Sequence, residues 1–181
     1  LDRIVPVDGG DGALPRLVAD PGADDDLRAL VQHRRVVLVD VALDPETAGL
    51  TGLDNVTGTS DALNTPFILD MMLAVNPDIK TVGLLYSNSE ANSTMPIAEA
   101  KAYLQGKNID IVEKTGNTSG EIVEAVSSMV GRVDAVFTPT DNVVMAAEVT
   151  VAETLNEAGI PHYTGADSFV AAGAFATCGV N

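Results

Sequence analysis

From Asn55 onward, short apolar runs alternate with longer stretches in which apolar positions recur every three or four residues. The runs suit strands buried on both faces, and the longer stretches suit amphipathic helices. Lys80–Tyr86, Asp110–Glu113, Asp134–Phe137, Ile160–Tyr163 and Ala174–Val180 read as strands. Thr65–Val75, Ser93–Gly106, Ser119–Val130, Asn142–Ala158 and Ser168–Ala172 read as the helices around them. The punctuation agrees with this division. Asn64 and Pro66 open the first helix, Asn76-Pro77 closes it, and Gly106 and Gly159 end later ones. Ser119 reads as an N-cap, with Glu121 and Glu124 near the positive end of its helix. Parallel strands joined by right-handed helical crossovers predict an α/β fold, a doubly wound parallel sheet with helices on both faces.

The upstream stretch is less regular. Asp2–Val7 and Arg35–Val41 read as strands and Asp24–His33 as a helix, separated by the turn sequences Gly9-Gly10-Asp11-Gly12 and Asp20-Pro21-Gly22. Gly and Thr cluster over Gly49–Asn55, which marks a soft boundary. The expectation is an N-terminal βα unit over residues 1–54, whose origin the pattern leaves open, and a lobe over residues 55–181. The two share one sheet in one compact domain.

In open parallel sheets, ligands bind beyond the carboxyl ends of the strands. Three such ends carry dense polar sequence: Ser87-Asn88-Ser89-Glu90-Ala91-Asn92-Ser93, Thr138-Pro139-Thr140-Asp141-Asn142 and Thr164-Gly165-Ala166-Asp167-Ser168. Parallel strands bring all three to one rim. A small polar solute would find hydroxyls and helix N-terminal N–H groups for a carboxylate, and Glu90, Asp141 or Asp167 for an amine. The plainer alternative is that these residues only cap the following helices.

Composition narrows the function classes. Ten Lys and Arg stand against 26 Asp and Glu, for a net charge of −16, which opposes nucleic acid and anionic membrane surfaces. No apolar run reaches the roughly 20 residues needed to span a bilayer. The chain has no Trp, and 46% hydrophobic residues imply an aliphatic core. Cys178 is the only cysteine and reads as a small buried core residue. The acidic run Asp20–Asp26 is explained by a turn and a helix start without a metal. Gly10-Asp11-Gly12 lacks the third glycine of a dinucleotide fingerprint, since Pro15 stands there. No G-x-S-x-G elbow occurs, and neither His33 nor His162 sits in a general-base motif. The reading is therefore a non-enzyme, with no cofactor and no metal.

Several stretches together resemble the ABC-type substrate-binding family that includes tryptophan-binding proteins. They are Asn55–Asp61, the helix leading to Asn76-Pro77, Val82–Ser93, Asp134–Asn142 and Ala166–Thr177, in order, with Val36–Leu50 fitting more loosely. The resemblance implies a type I periplasmic-binding-protein lobe with Asn55–Asp61 at a hinge crossing. It further implies an extracytoplasmic protein that binds an amino-acid-like solute and delivers it to an ABC permease. Ser87, Asn88, Ser89, Glu90, Asn92, Thr140, Asp141, Asn142 and Asp167 fall in loops that face the cleft in that family. The competing expectation is an engineered or chimeric flavodoxin-like domain built on the same lobe, without retained solute binding.

Overall fold

In a computed structural model of the protein, residues 62–180 are described, together with the backbone of four two-residue strands upstream. The chain divides into two compact units, Leu1–Ala62 and Leu63–Asn181. In the first, β1 (Pro6–Val7) pairs antiparallel with β2 (Arg16–Leu17), and β3 (Val37–Leu38) pairs parallel with β4 (Val56–Thr57). Each pair is a two-stranded sheet of its own. The helix expected over Asp24–His33 lies outside the described residues.

The second unit runs α1 (Thr65–Val75), β5 (Thr81–Tyr86), α2 (Ala91–Gly106), β6 (Asp110–Thr115), α3 (Ser119–Ser127), β7 (Ala135–Thr138), α4 (Asn142–Met145), α5 (Glu148–Glu157), β8 (His162–Ala166), α6 (Asp167–Ala172) and β9 (Ala176–Val180). Its five strands form one parallel sheet in the order β6-β5-β7-β8-β9. This is the flavodoxin-like order, in which the chain reverses direction across the sheet between β5 and β7.

Alternation along the strands divides the core in two. Val82 and Leu84 of β5, Phe137 of β7 and Tyr163 of β8 pack beneath α1 and α2, with Ile68, Leu69, Met72, Ile97, Ala100 and Leu104. Leu85 and Val136 face the other way and meet Ile122, Val126, Met129, Val151, Leu155 and Phe169 from α3, the turn after it, α5 and α6. That second face also holds a buried polar chain. The His162 ring nitrogens lie 3.0 Å from Glu148 Oε1 and 2.9 Å from Thr138 Oγ1, which satisfies the imidazole inside the core.

Differences from the sequence expectation have local causes. Asn142–Ala158 is two helices, α4 and α5, because the chain breaks step at Ala146 and Ala147. Thr118, not Ser119, caps α3, its hydroxyl accepting the Glu121 N–H at 3.3 Å, and Glu121 returns to the Asn117 N–H at 2.7 Å. Gly106 ends α2, but the left-handed residue after it is Asn108, at φ 57°. Gly159 closes α5 as expected, at φ 69°. Cys178 is exposed rather than buried, because it lies on the edge strand β9 at a register shift opposite Gly165.

All three tyrosines are held protonated. Burial and the Glu113 carboxylate, which accepts from its hydroxyl at 2.5 Å, push Tyr86 up to about 12. Burial and a hydrogen bond to Asp70 do the same for Tyr103, and burial alone raises Tyr163. Phenols raised in the folded state contribute stability that is whole below their unfolded value of 10.0 and lost as the pH climbs toward 12. An ultraviolet titration should show the unfolded chain ionising near pH 10, with Tyr86 and Tyr103 of the native chain ionising only toward pH 12. Replacing fully buried Phe137 with Ala should cost about 3–5 kcal/mol in urea denaturation.

Candidate functional site

The crevice of a doubly wound sheet opens where the strand order reverses, because crossover helices leave toward opposite faces there. Here that point lies between β5 and β7, which pair through Val82–Ala135, Gly83–Val136 and Leu84–Phe137. Beyond their carboxyl ends run the β5–α2 loop, Ser87–Glu90, and the β7–α4 loop, Pro139–Asp141.

The two loops are tied together. Asp141 is 1% exposed, and its Oδ2 accepts from the Ser87 N–H and the Ser93 hydroxyl, each at 2.7 Å. Its Oδ1 accepts from the Val143 and Val144 N–H groups, each at 3.0 Å, and so caps α4. Asn92 Nδ2 donates to the Thr140 carbonyl at 2.6 Å, and Asn142 Nδ2 donates to Glu90 Oε2 at 2.9 Å. The sequence placed Asp141 opposite a solute amine; in the structure both of its oxygens are filled by protein donors.

The other expected residues divide by exposure. Ser87 is fully buried, with its hydroxyl 2.7 Å from Ser89 Oγ and donating to Asn117 Oδ1 at 3.2 Å. Asn88 is exposed and its Nδ2 donates to Thr115 Oγ1 at 3.1 Å. Ser89, Asn142 and Asp167 are exposed, and Glu90, Asn92 and Thr140 are half-buried. The third polar stretch is not a loop: β8 continues through Thr164 and Gly165 and passes directly into α6 at Asp167. The Asp167 side chain makes no hydrogen bond among the described residues. The α2 N-terminus at Glu90 has no side-chain cap; the Ser93 N–H bonds the Glu90 carbonyl at 3.2 Å, and the Ala91 and Asn92 N–H groups make no hydrogen bond among the described residues.

The structure adds groups that the strand-end pattern did not mark. Asn117 enters from the β6–α3 loop through its bond to Ser87; the Gly116-Asn117-Thr118 run after a strand was its signal. A hollow of about 300 Å³ opens beside the rim, lined by Tyr86, Ser87, Asn88, Thr94, Ile97, Ala98 and Lys101. Lys101 pairs with Glu113 at 2.5 Å on its outer wall. Burial alone would raise the Glu113 carboxyl, but hydrogen bonds from Lys101 and Tyr86 more than reverse this and hold it below its usual value. Among the described residues no cluster of three or more His, Cys, Asp or Glu gathers as a metal site, and no helix is long and apolar enough to cross a membrane.

A parallel α/β lobe whose polar loops meet at the strand-order reversal is the architecture of small-molecule-binding domains. The chain belongs to the ABC transporter substrate binding protein family, whose profile matches residues 42–181. It is 34% identical over 150 residues to a tyrosine-binding protein of Clostridioides difficile, covering 80% of this chain and 44% of the relative. Among solved structures it is similar to an ABC domain from Streptococcus pneumonia in complex with L-Trp, at 31% identity and a TM-score of 0.69, covering 80% of this chain and 50% of that one. A conserved domain protein from Vibrio cholerae matches at 27% identity and a TM-score of 0.71, covering 91% and 56% of the two chains. The chain thus spans about half the length of the relatives it matches. The fold is that of a type I periplasmic-binding-protein lobe.

Close packing beneath the rim gives a direct check on its rigidity. A Cβ on Gly165 would meet the Thr140 nitrogen at 2.8 Å and the Pro139 carbonyl carbon at 2.9 Å, both backbone atoms. Gly165→Ala should therefore displace the β7–α4 loop and cost about 1–3 kcal/mol in urea denaturation. Gly120→Ala, whose Cβ meets nothing at an exposed position of α3, should leave stability unchanged or slightly improved.

Proposed function

We propose that this chain is a lobe of an extracytoplasmic solute-binding protein that holds an amino acid, aromatic by class, without chemical change. The whole protein would deliver that solute to an ABC permease. The observation that carries the reading is the rim at the β5–β7 reversal, where two tied loops present amides, hydroxyls and acidic groups at the strand ends where open parallel sheets bind ligands. Family membership and relatives named for tyrosine binding or solved with L-Trp support the choice of solute class.

An amino acid brings a carboxylate and an ammonium group. The Ala91 and Asn92 N–H groups at the uncapped start of α2 suit the carboxylate, since helix N-terminal N–H groups favour negative charge, with Ser89 beside them. Glu90 and Asp167 suit the ammonium, because each has carboxylate capacity beyond its protein bonds. Asn88, Asn92, Thr140 and Asn142 complete the polar rim, and Ser87 shapes it from beneath.

Isothermal titration calorimetry with L-tryptophan, L-tyrosine and L-alanine tests this. The aromatic amino acids should bind and alanine should bind more weakly. Asp167→Asn or Glu90→Gln should weaken binding by about 1.5–3 kcal/mol, the range for a hydrogen bond to a charged group. A cooperatively folded chain that binds none of the three would instead favour a lobe whose fold persists without solute binding.

A further inference from the structure

Asp141 stands where both rim loops can be held at once, and its two oxygens have different tasks. Oδ1 serves its own loop, accepting from Val143 and Val144 at 3.0 Å. Oδ2 reaches the neighbouring loop, accepting from the Ser87 N–H and the Ser93 hydroxyl at 2.7 Å. Ser87 and Ser93 are fully buried, so this second pair of bonds lies beneath the rim surface. Hydrogen bonds to an ionised acceptor are shorter and stronger than neutral ones, and a buried carboxylate with four donors is geometrically fixed. The bonds from Asn92 to Thr140 and from Asn142 to Glu90 join the same two loops nearer the surface.

We propose that Asp141 is a positioning residue for solute binding. Its Oδ2 clasps the β5–α2 loop to the β7–α4 loop across the strand-order reversal, and the carboxylate does not touch the solute. The inference rests on the solute-binding reading above and replaces a contact role with an organising one. Binding groups on the two loops are then set before the solute arrives, which removes an ordering cost that would otherwise weaken affinity.

The division between the two oxygens makes the clasp separable from the helix cap. In Asp141→Asn the remaining oxygen can still cap α4, since Asn is as good an N-cap as Asp. The new amide cannot accept the Ser87 N–H, though it can donate to the Ser93 hydroxyl oxygen, so the Ser87 half of the clasp is what the substitution removes. The test pairs amide hydrogen exchange of the solute-free chain with calorimetry using L-tryptophan and L-tyrosine. Asp141→Asn should speed exchange at Ser87, leave Val143 and Val144 protected, and weaken binding at least about tenfold, the loss of one charged hydrogen bond's worth of organisation. Ser93→Ala, which removes one clasp bond and leaves the cap untouched, should weaken binding severalfold.

Weakened binding with Ser87 still protected would make Asp141 a direct contact and overturn the proposal. Native affinity in Asp141→Asn despite lost Ser87 protection would overturn it as well. Should Asp141→Asn also expose Val143 and Val144, native affinity in Ser93→Ala would be the overturning result. A native chain that binds neither amino acid would count against the solute-binding reading, while the exchange pattern would still show whether the clasp exists.

Discussion

Strand β5 is hydrogen bonded on both edges, to β6 and β7, and buried on both faces. Its backbone has no solvent alternative, so its N–H and C=O groups must be met by neighbouring strands in one register. Its side chains must be apolar both above and below, which the sequence Thr81–Tyr86 provides, with Gly83 admitting Met129 at close range. Once β5 is fixed in this way, right-handed crossovers send α2 and α3 to opposite faces. The crevice at the ends of β5 and β7 follows from that geometry and requires no side chain of its own.

Side chains decide what the crevice can do. The loops beyond β5 and β7 are short and rich in Ser, Asn, Thr and Asp, and they bond to each other at three places. A carboxylate that looks like a ligand group in sequence is, in the fold, the buried centre of this tie. Acidic groups that do reach solvent, Glu90 and Asp167, lie to either side of it along the chain. The hollow bounded by Tyr86, Ile97 and Lys101 adds a mixed apolar and polar surface beside the rim. Its outer wall is held by Glu113, which joins β6 to α2 through Lys101 and to β5 through Tyr86.

Much of this was legible in the sequence. The Thr65–Val75 helix, with its Asn64 entry and Asn76-Pro77 exit, formed over the residues expected, because its signals are local. The alternation of apolar runs with helical periodicity likewise led to the parallel sheet. Boundaries were less legible where tertiary contacts override local preference. Strand β8 extends to Ala166 because Gly165 lets it pass against the backbone of Pro139 and Thr140. The exposure of Cys178 depends on β9 being an edge with a register shift, which no local pattern reports. At the rim, sequence identified two of the three expected loops but not that the third stretch is strand running into helix, nor which oxygen is engaged inside the protein. Asp141 and Ser87 differ from Asp167 and Ser89 in burial, and burial is set by residues 50 or so positions away, as the separation of 54 between Asp141 and Ser87 illustrates.

The central claim is that solute binds at the two tied loops where the strand order reverses. Mapping amide chemical-shift changes on titration with L-tryptophan or L-tyrosine tests it most directly. The account predicts that the largest changes fall on residues 87–93, 139–142 and 167–168, with the opposite edge around Lys80 and Asp134 silent. Saturable changes centred on that opposite edge, or the absence of any in the folded chain, would contradict it.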